Sequence, residues 1–154
     1  QLPPQYVIHA SDVELAWVAG IIDGEGCISV IKSKVNKKEG VYFRYQLNIY
    51  VGMIHKPTIY RIKDIFKFGH LAKDDRGSEC SRTRFIWGVS CNQAEAVLKA
   101  ILPFMITKKE EARVALEFQE NTDRSGGKYP SKGEWKKREY YRQRLKKLKR
   151  ISFE

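Results

Sequence analysis

Two periods govern the apolar positions of this chain. From Leu15 to Ile22 the residues are apolar almost all round, interrupted only by the very small Ala16, Ala19 and Gly20. Ser11 with Glu14 three residues later forms a capping box, which predicts a helix from about Asp12. A period of two follows over Tyr42–Met53. Phe43, Tyr45, Leu47, Ile49, Val51 and Met53 fall on one face, and Tyr42, Arg44, Gln46, Asn48 and Tyr50 on the other. One face is suited to a core, the other to hydrogen bonding. Residues 27–34 also have strand composition, set off by a polar turn over 35–40. Pro57 opens a predicted helix through about Phe68, with Ile59, Ile62, Ile65 and Phe66 inward and Gly69 as its end.

A second pair of strands is predicted over 70–73 and 83–90, joined by the polar loop 74–81. In the latter strand Phe85, Trp87 and Val89 share one face, and Arg84, Ile86 and Gly88 the other. Asn92 is read as the cap of a helix that stops before Pro103, and a further helix spans about 108–119. Helix, two strands, helix, two strands, helix is an α+β order built from antiparallel hairpins. Residues 1–10 read as an extended lead-in, 11–121 as the core, and 122–154 as a linker and basic helix of the same domain. That helix carries Tyr141, Leu145 and Leu148 on one stripe. It reads either as a solvated helix docked by the stripe or as a contact for phosphates or another partner.

Charge sharpens the picture. Lys and Arg total 29 against 18 acids, a net charge of +11 in 154 residues, which favours a polyanionic partner such as nucleic acid. Cys27, Cys80 and Cys91, like His9, His55 and His70, lack metal-type spacing, so neither a zinc site nor a disulfide framework is expected. No stretch has the length of a membrane span or the layout of a signal peptide. An intracellular, reducing location without membrane association is the expectation.

Asp23-Gly24-Glu25-Gly26 ends the first helix with two acids, which oppose the helix dipole. Two readings stand: an acidic, glycine-rich cap, or hard oxygen donors for Mg²⁺ from Glu25 and the Gly24 carbonyl. Gly20 costs the helix about 1 kcal/mol relative to Ala, and with Ala16 and Ala19 it suggests close approach of another backbone. On the polar strand face, Arg44, Gln46, Asn48 and Tyr50 repeat at a spacing that can follow bases in a major groove. The same pleat adds Ser29, Ile31 and Ser33, and the last strand adds Arg82 and Arg84. Lys73 and Arg76 join them from a loop of unfixed register. The plainer reading of these positions is a wetted sheet surface.

Val18-Ala19-Gly20-Ile21-Ile22-Asp23-Gly24-Glu25-Gly26 resembles the nine-residue signature of the LAGLIDADG homing endonucleases, and the resemblance extends over about 11–121. It implies an αββαββα core with a curved antiparallel sheet that saddles DNA, followed by C-terminal helices. Glu25 stands where the family has its metal-binding acid, and Asp23 where it has a second acid used in capping. The face carrying Ala16, Ala19, Gly20 and Asp23 corresponds to the one that packs two such helices together. The segment 102–108 resembles the one that ends in the family's active-site lysine, here Lys108. His55 aligns with a polar residue that positions water. A single copy of the signature implies a homodimer.

The resemblance therefore implies Mg²⁺-dependent, sequence-specific cleavage of both strands of a long pseudo-palindromic site, with short 3′ overhangs. Mn²⁺ would substitute, and Ca²⁺ would support binding without cleavage. The alternative is a maturase or nucleic-acid-binding regulator that has lost cleavage, with RNA as a partner in the maturase case.

Overall fold

In the computed structural model, which describes residues 6–75, 82–123 and 130–151, a helix runs into a strand with no loop between them. Helix α1 (Asp12–Glu25) starts on the expected capping box. Ser11 Oγ accepts from the Glu14 N–H at 3.2 Å, and the Glu14 carboxylate accepts from the Ser11 N–H at 3.0 Å. Strand β1 (Gly26–Lys37) begins at the next residue. Gly26 permits this junction, since a Cβ there would lie 2.8 Å from the Ile22 backbone.

Strand β2 (Gly40–Met53) pairs antiparallel with β1 from Gly26 opposite Val51 to Lys37 opposite Gly40. The polar turn expected over 35–40 is therefore shorter. Val35 and Asn36 remain paired with Tyr42 and Val41, leaving Lys38 and Glu39 as the turn. Helix α2 (Lys56–Phe66) buries Ile59, Ile62, Ile65 and Phe66 as the periodicity requires. It stops short of Phe68 because Lys67 takes a left-handed backbone, φ 64°. Gly69 lies beyond this end at φ 100°, where a Cβ would strike the Trp87 ring nitrogen.

Strands β3 (His70–Asp74) and β4 (Arg84–Ser90) complete an antiparallel sheet of order β1-β2-β4-β3. Helix α3 (Cys91–Ile101) follows β4 without a linking residue. Its cap is Ser90 rather than Asn92, because a left-handed Cys91, φ 49°, turns the strand straight into the helix. A short 3₁₀ turn at Leu102–Phe104, helix α4 (Lys109–Asn121) and helix α5 (Lys132–Ile151) finish the described chain.

The inner sheet face is fully apolar at its centre: Ile28, Val30, Leu47, Ile49, Val51, Trp87 and Val89 are buried with Val18 and Ile22 of α1. Each such side chain contributes about 1.5–3 kcal/mol. Trp87 stacks on Phe66 at 5.5 Å and donates its ring N–H to the Phe68 carbonyl.

Helix α5 docks through Tyr141 and Leu145, both buried, with Leu148 packed beside them. Its first turn is capped by Ser131, whose hydroxyl accepts from the Glu134 N–H at 3.2 Å. Farther along, Tyr45 of β2 donates to Glu139 at 2.6 Å, and Lys32 of β1 lies 3.5 Å from the same oxygen. Partial burial would raise the Glu139 carboxyl. Hydrogen bonds from Tyr45 and Gln143, with the charges of Lys32 and Arg142, outweigh it and hold the group at about 2.

Candidate active site and nucleic-acid face

The C-terminal end of α1 is built by residues from the far side of the chain. The Asp23 carboxylate accepts the backbone N–H groups of Ile106 at 2.7 Å and Lys108 at 2.9 Å. An acid ill placed for the dipole of α1 thus serves the start of α4 instead. Lys108 closes the same joint from the other side. Its ammonium donates to the Asp23 carbonyl, one of the last acceptors of the helix, and to the Ile22 carbonyl at 3.0 Å, which also accepts the Gly26 N–H.

Glu25, two residues on, is exposed and has no hydrogen-bond or ionic partner among the described residues. Gly24 is exposed as well. Among the described residues no three His, Cys, Asp or Glu side chains gather into a cation site, so each chain offers one carboxylate and one nearby carbonyl. Both are hard oxygen donors of the kind Mg²⁺ takes. His55 caps α2 at the same end of the sheet, since Gly26 pairs with Val51 just before it. Its Nδ1 lies 2.7 Å from the Thr58 hydroxyl, which leaves Nε2 free to face solvent.

Behind this end lies Glu111, one turn into α4 from Lys108 and only 6% exposed. Burial pushes its carboxyl up, against the pull of Lys149 and Lys108, and Asp23 adds to the rise.

The small-residue face of α1 divides differently from the expectation. Ala19 is fully buried in the chain's own core, beside Val18 and Ile22, and Asp23 is committed to the chain's own backbone. On a helix apolar all round, the sequence pattern does not distinguish the inner side from the outer. The open stripe is Val13, Ala16, Trp17, Gly20 and Gly24, with Val13 80% exposed. A Cβ on Gly20 or Gly24 would meet nothing within 4 Å. Beside it lies Ile106, 85% exposed, and a groove lined by Val13, Trp17, Arg61 and Ile65. Val13 and Trp17 carry a sequence signal that was available: they sit three or four residues from Ala16 and Gly20.

The outer sheet face holds most of the expected set. Register puts Ser29 opposite Asn48, Ile31 opposite Gln46, Ser33 opposite Arg44, and Cys27 opposite Tyr50. Across β4, Tyr50 faces Gly88 and Asn48 faces Ser90. The Asn48 side-chain oxygen is buried without a hydrogen-bond partner. Arg84 lies on this face with its guanidinium over Gly52, a position only a glycine leaves open.

Lys73 is a correction. It pairs with Phe85, an inner-face residue, so it points away from the outer face; His70, Ala72 and Asp74 are the outer residues of β3. Arg82 is exposed but precedes β4, and no strand pairing fixes its direction. Arg76 lies outside the described residues. Lys37, with its ammonium 5.2 Å from the Tyr42 ring, extends the outer face toward the hairpin tip and was not anticipated.

An open polar sheet face thus ends at an exposed acid, a lysine and a histidine. The family model "LAGLIDADG endonuclease" matches residues 18–113, more than half of the chain, and the chain belongs to that family.

Solved structures share the fold. The homing endonuclease I-CvuI, in complex with the I-CreI target in the presence of Mg, aligns with a TM-score of 0.68 at 18% identity, over 88% of this chain and 82% of its own. The archaeal intron-encoded homing endonuclease I-Vdi141I, complexed with DNA, aligns at 0.68 and 19%, over 89% and 84%. The homing endonuclease I-TnaI aligns at 0.57 and 21%, over 92% and 99%. A comparison with curated protein sequences finds no match. The expected αββαββα order is the order of α1 through α3, followed by α4 and α5.

Proposed function

We propose that this chain is a sequence-specific endonuclease that cuts both strands of a long, pseudo-palindromic DNA site as a homodimer. One juxtaposition carries the reading: an open stripe of small and apolar residues runs down α1 to Glu25, an acid with no partner of its own. A two-cation phosphodiester site needs more carboxylates than one chain offers there, and two helices crossing at Ala16 and Gly20 supply a pair. The two-fold axis then matches the symmetry of the site. β2 has 14 residues and spans about 45 Å, somewhat more than one turn of B-DNA per half-site.

Glu25 and the Gly24 carbonyl would hold Mg²⁺, with Mn²⁺ as a substitute and Ca²⁺ supporting binding alone. When bound, such an ion polarises the phosphate and makes water a stronger nucleophile at neutral pH. The chain's own residues do the rest. Lys108 is held by Asp23 at its backbone, and its ammonium turns from the helix carbonyls to the phosphate. His55 holds water through Nε2, its Nδ1 being occupied by Thr58. Arg44, Gln46 and Tyr50, with Ser29, Ile31 and Ser33 on β1, face the base edges.

The presence of both Glu25 and Lys108 at one helix end favours cleavage over the binding-only alternative. Incubation with a randomised duplex library in Mg²⁺, followed by sequencing of the cut ends, tests the reading. Two-fold-symmetric sites with short 3′ overhangs are expected, and Glu25→Gln should abolish cutting while retaining binding. Full Mg²⁺-dependent cutting by that variant, or cut sites without symmetry, would overturn it.

A further inference from the structure

Helix α5 carries a surplus of basic residues, most of them turned to solvent, and one of them is placed differently. Lys146, Lys147 and Arg150 are exposed. Lys149 is half-buried, and its ammonium lies 3.3 Å from the Cys27 sulfur. Cys27 is on the outer face of β1 opposite Tyr50, two residues past Glu25. The charge therefore lies at the Glu25 end of the sheet, beside an outer-face residue.

A thiol is a weak acceptor and gives a compact, strongly hydrated ammonium little in return. Among the described residues no ion pair joins Lys149 to a carboxylate; the buried Glu111 feels its charge only at a distance. Glu111 is buried, and its Oε2 has no hydrogen-bond partner. Asp23, the other acid nearby, is occupied by backbone N–H groups. The arrangement leaves an ammonium fixed in direction, poorly satisfied, and open to a better acceptor arriving from the duplex side.

We propose that Lys149 is a second lysine of the reaction centre: its ammonium donates to a non-bridging oxygen of the phosphate next to the cleaved bond. This rests on the reading that the Glu25 end of the sheet is where DNA is cut. It also separates Lys149 from its neighbours on α5, which contribute at most a general attraction for phosphates.

The test uses the full chain and a cognate duplex obtained from the library selection. Single-turnover cleavage is measured for wild type, Lys149→Met and Lys149→Arg, alongside binding in Ca²⁺ and thermal melting. Lys149→Met keeps the stem and should slow cleavage about 100-fold, the low end of the loss expected for one preorganised donor. Lys149→Arg should restore most of the rate. Neutral methylphosphonate linkages are then placed singly at the phosphates flanking the cut. One of them should slow wild type strongly and leave Lys149→Met unchanged, a coupling that a merely structural lysine does not produce.

Wild-type cleavage by Lys149→Met, or equal sensitivity of both proteins to every neutral linkage, would overturn the proposal. Inactive Glu25→Gln beside fully active Lys149→Met sinks the lysine alone; normal cleavage by both sinks the site reading itself.

Discussion

The contact between Tyr45 and Glu139 ties the β1–β2 hairpin to α5, and Tyr45→Phe isolates it by deleting one hydroxyl. Tyr45 donates at 2.6 Å to a carboxylate that also faces Lys32, and both side chains are partly buried. A hydrogen bond to a charged acceptor is worth about 1.5–3 kcal/mol. Solvent reaches Glu139, so screening reduces this to about 1–2 kcal/mol. For a chain of this size that corresponds to a fall in Tm of roughly 2–8 °C at pH 7.

The pH dependence follows from the direction of the shift. The folded carboxyl titrates at about 2, below its ordinary 4.5, so its contribution is fully present above about pH 4.5. It is lost as pH falls through 2, when the folded state takes up the proton. Melting of wild type and Tyr45→Phe should therefore differ at pH 7 and converge between about pH 4.5 and 2. Identical melting at neutral pH, or an undiminished gap at the acid end, would refute the argument.

Gly20→Leu should leave the isolated chain as stable as wild type or more so, since nothing lies near that position and Leu is the better helix former. In sedimentation it should run as a monomer, because overpacking a helix crossing costs about 1–3 kcal/mol or more; an unchanged dimer would move the interface elsewhere. Gln46→Ala should relax preference at one or two base positions, mirrored in both half-sites, by roughly 1–3 kcal/mol. Profiling of bound sequences checks this, and a uniform loss across all sequences would contradict it. Gly26→Ala should lower Tm markedly, because its Cβ meets the Ile22 backbone and no flexible group can yield; a melt like that of wild type would show that the junction has slack.

Local chemistry carried much of the fold in the sequence. The Ser11–Glu14 box, the alternation along β2 and the inward isoleucines of α2 are decided by residues a few positions apart, and the structure keeps all three. The misses have longer-range causes. Lys73 lies on a short edge strand whose facing is set by its pairing with Phe85. Ala19 and Ala16 are indistinguishable on a helix without a polar side, and only the packed sheet sends one in and leaves the other out. Glu25, Lys108 and His55 were expected together from the resemblance in their segments, and the structure brings them to one end of α1 and the sheet. The bonds of Asp23 to residues 106 and 108, and the approach of Lys149 to Cys27, join distant parts of the chain and have no local signal.

The joint between α1 and β1 has a consequence for the spacing of the target. Because Glu25 ends the helix and Gly26 opens the strand, no flexible residue separates the proposed helix crossing from the sheet on the duplex. Each sheet is then fixed to its helix as a blade to its handle, and two crossed helices behave as a caliper with a locked hinge. A target lengthened by one base pair at its centre turns one half-site by about 35° relative to the other. A loop at this joint would absorb that turn; a direct junction passes it to the interface. In the proposed dimer the distance between half-sites is thus specified as strictly as any base, although no side chain reads it.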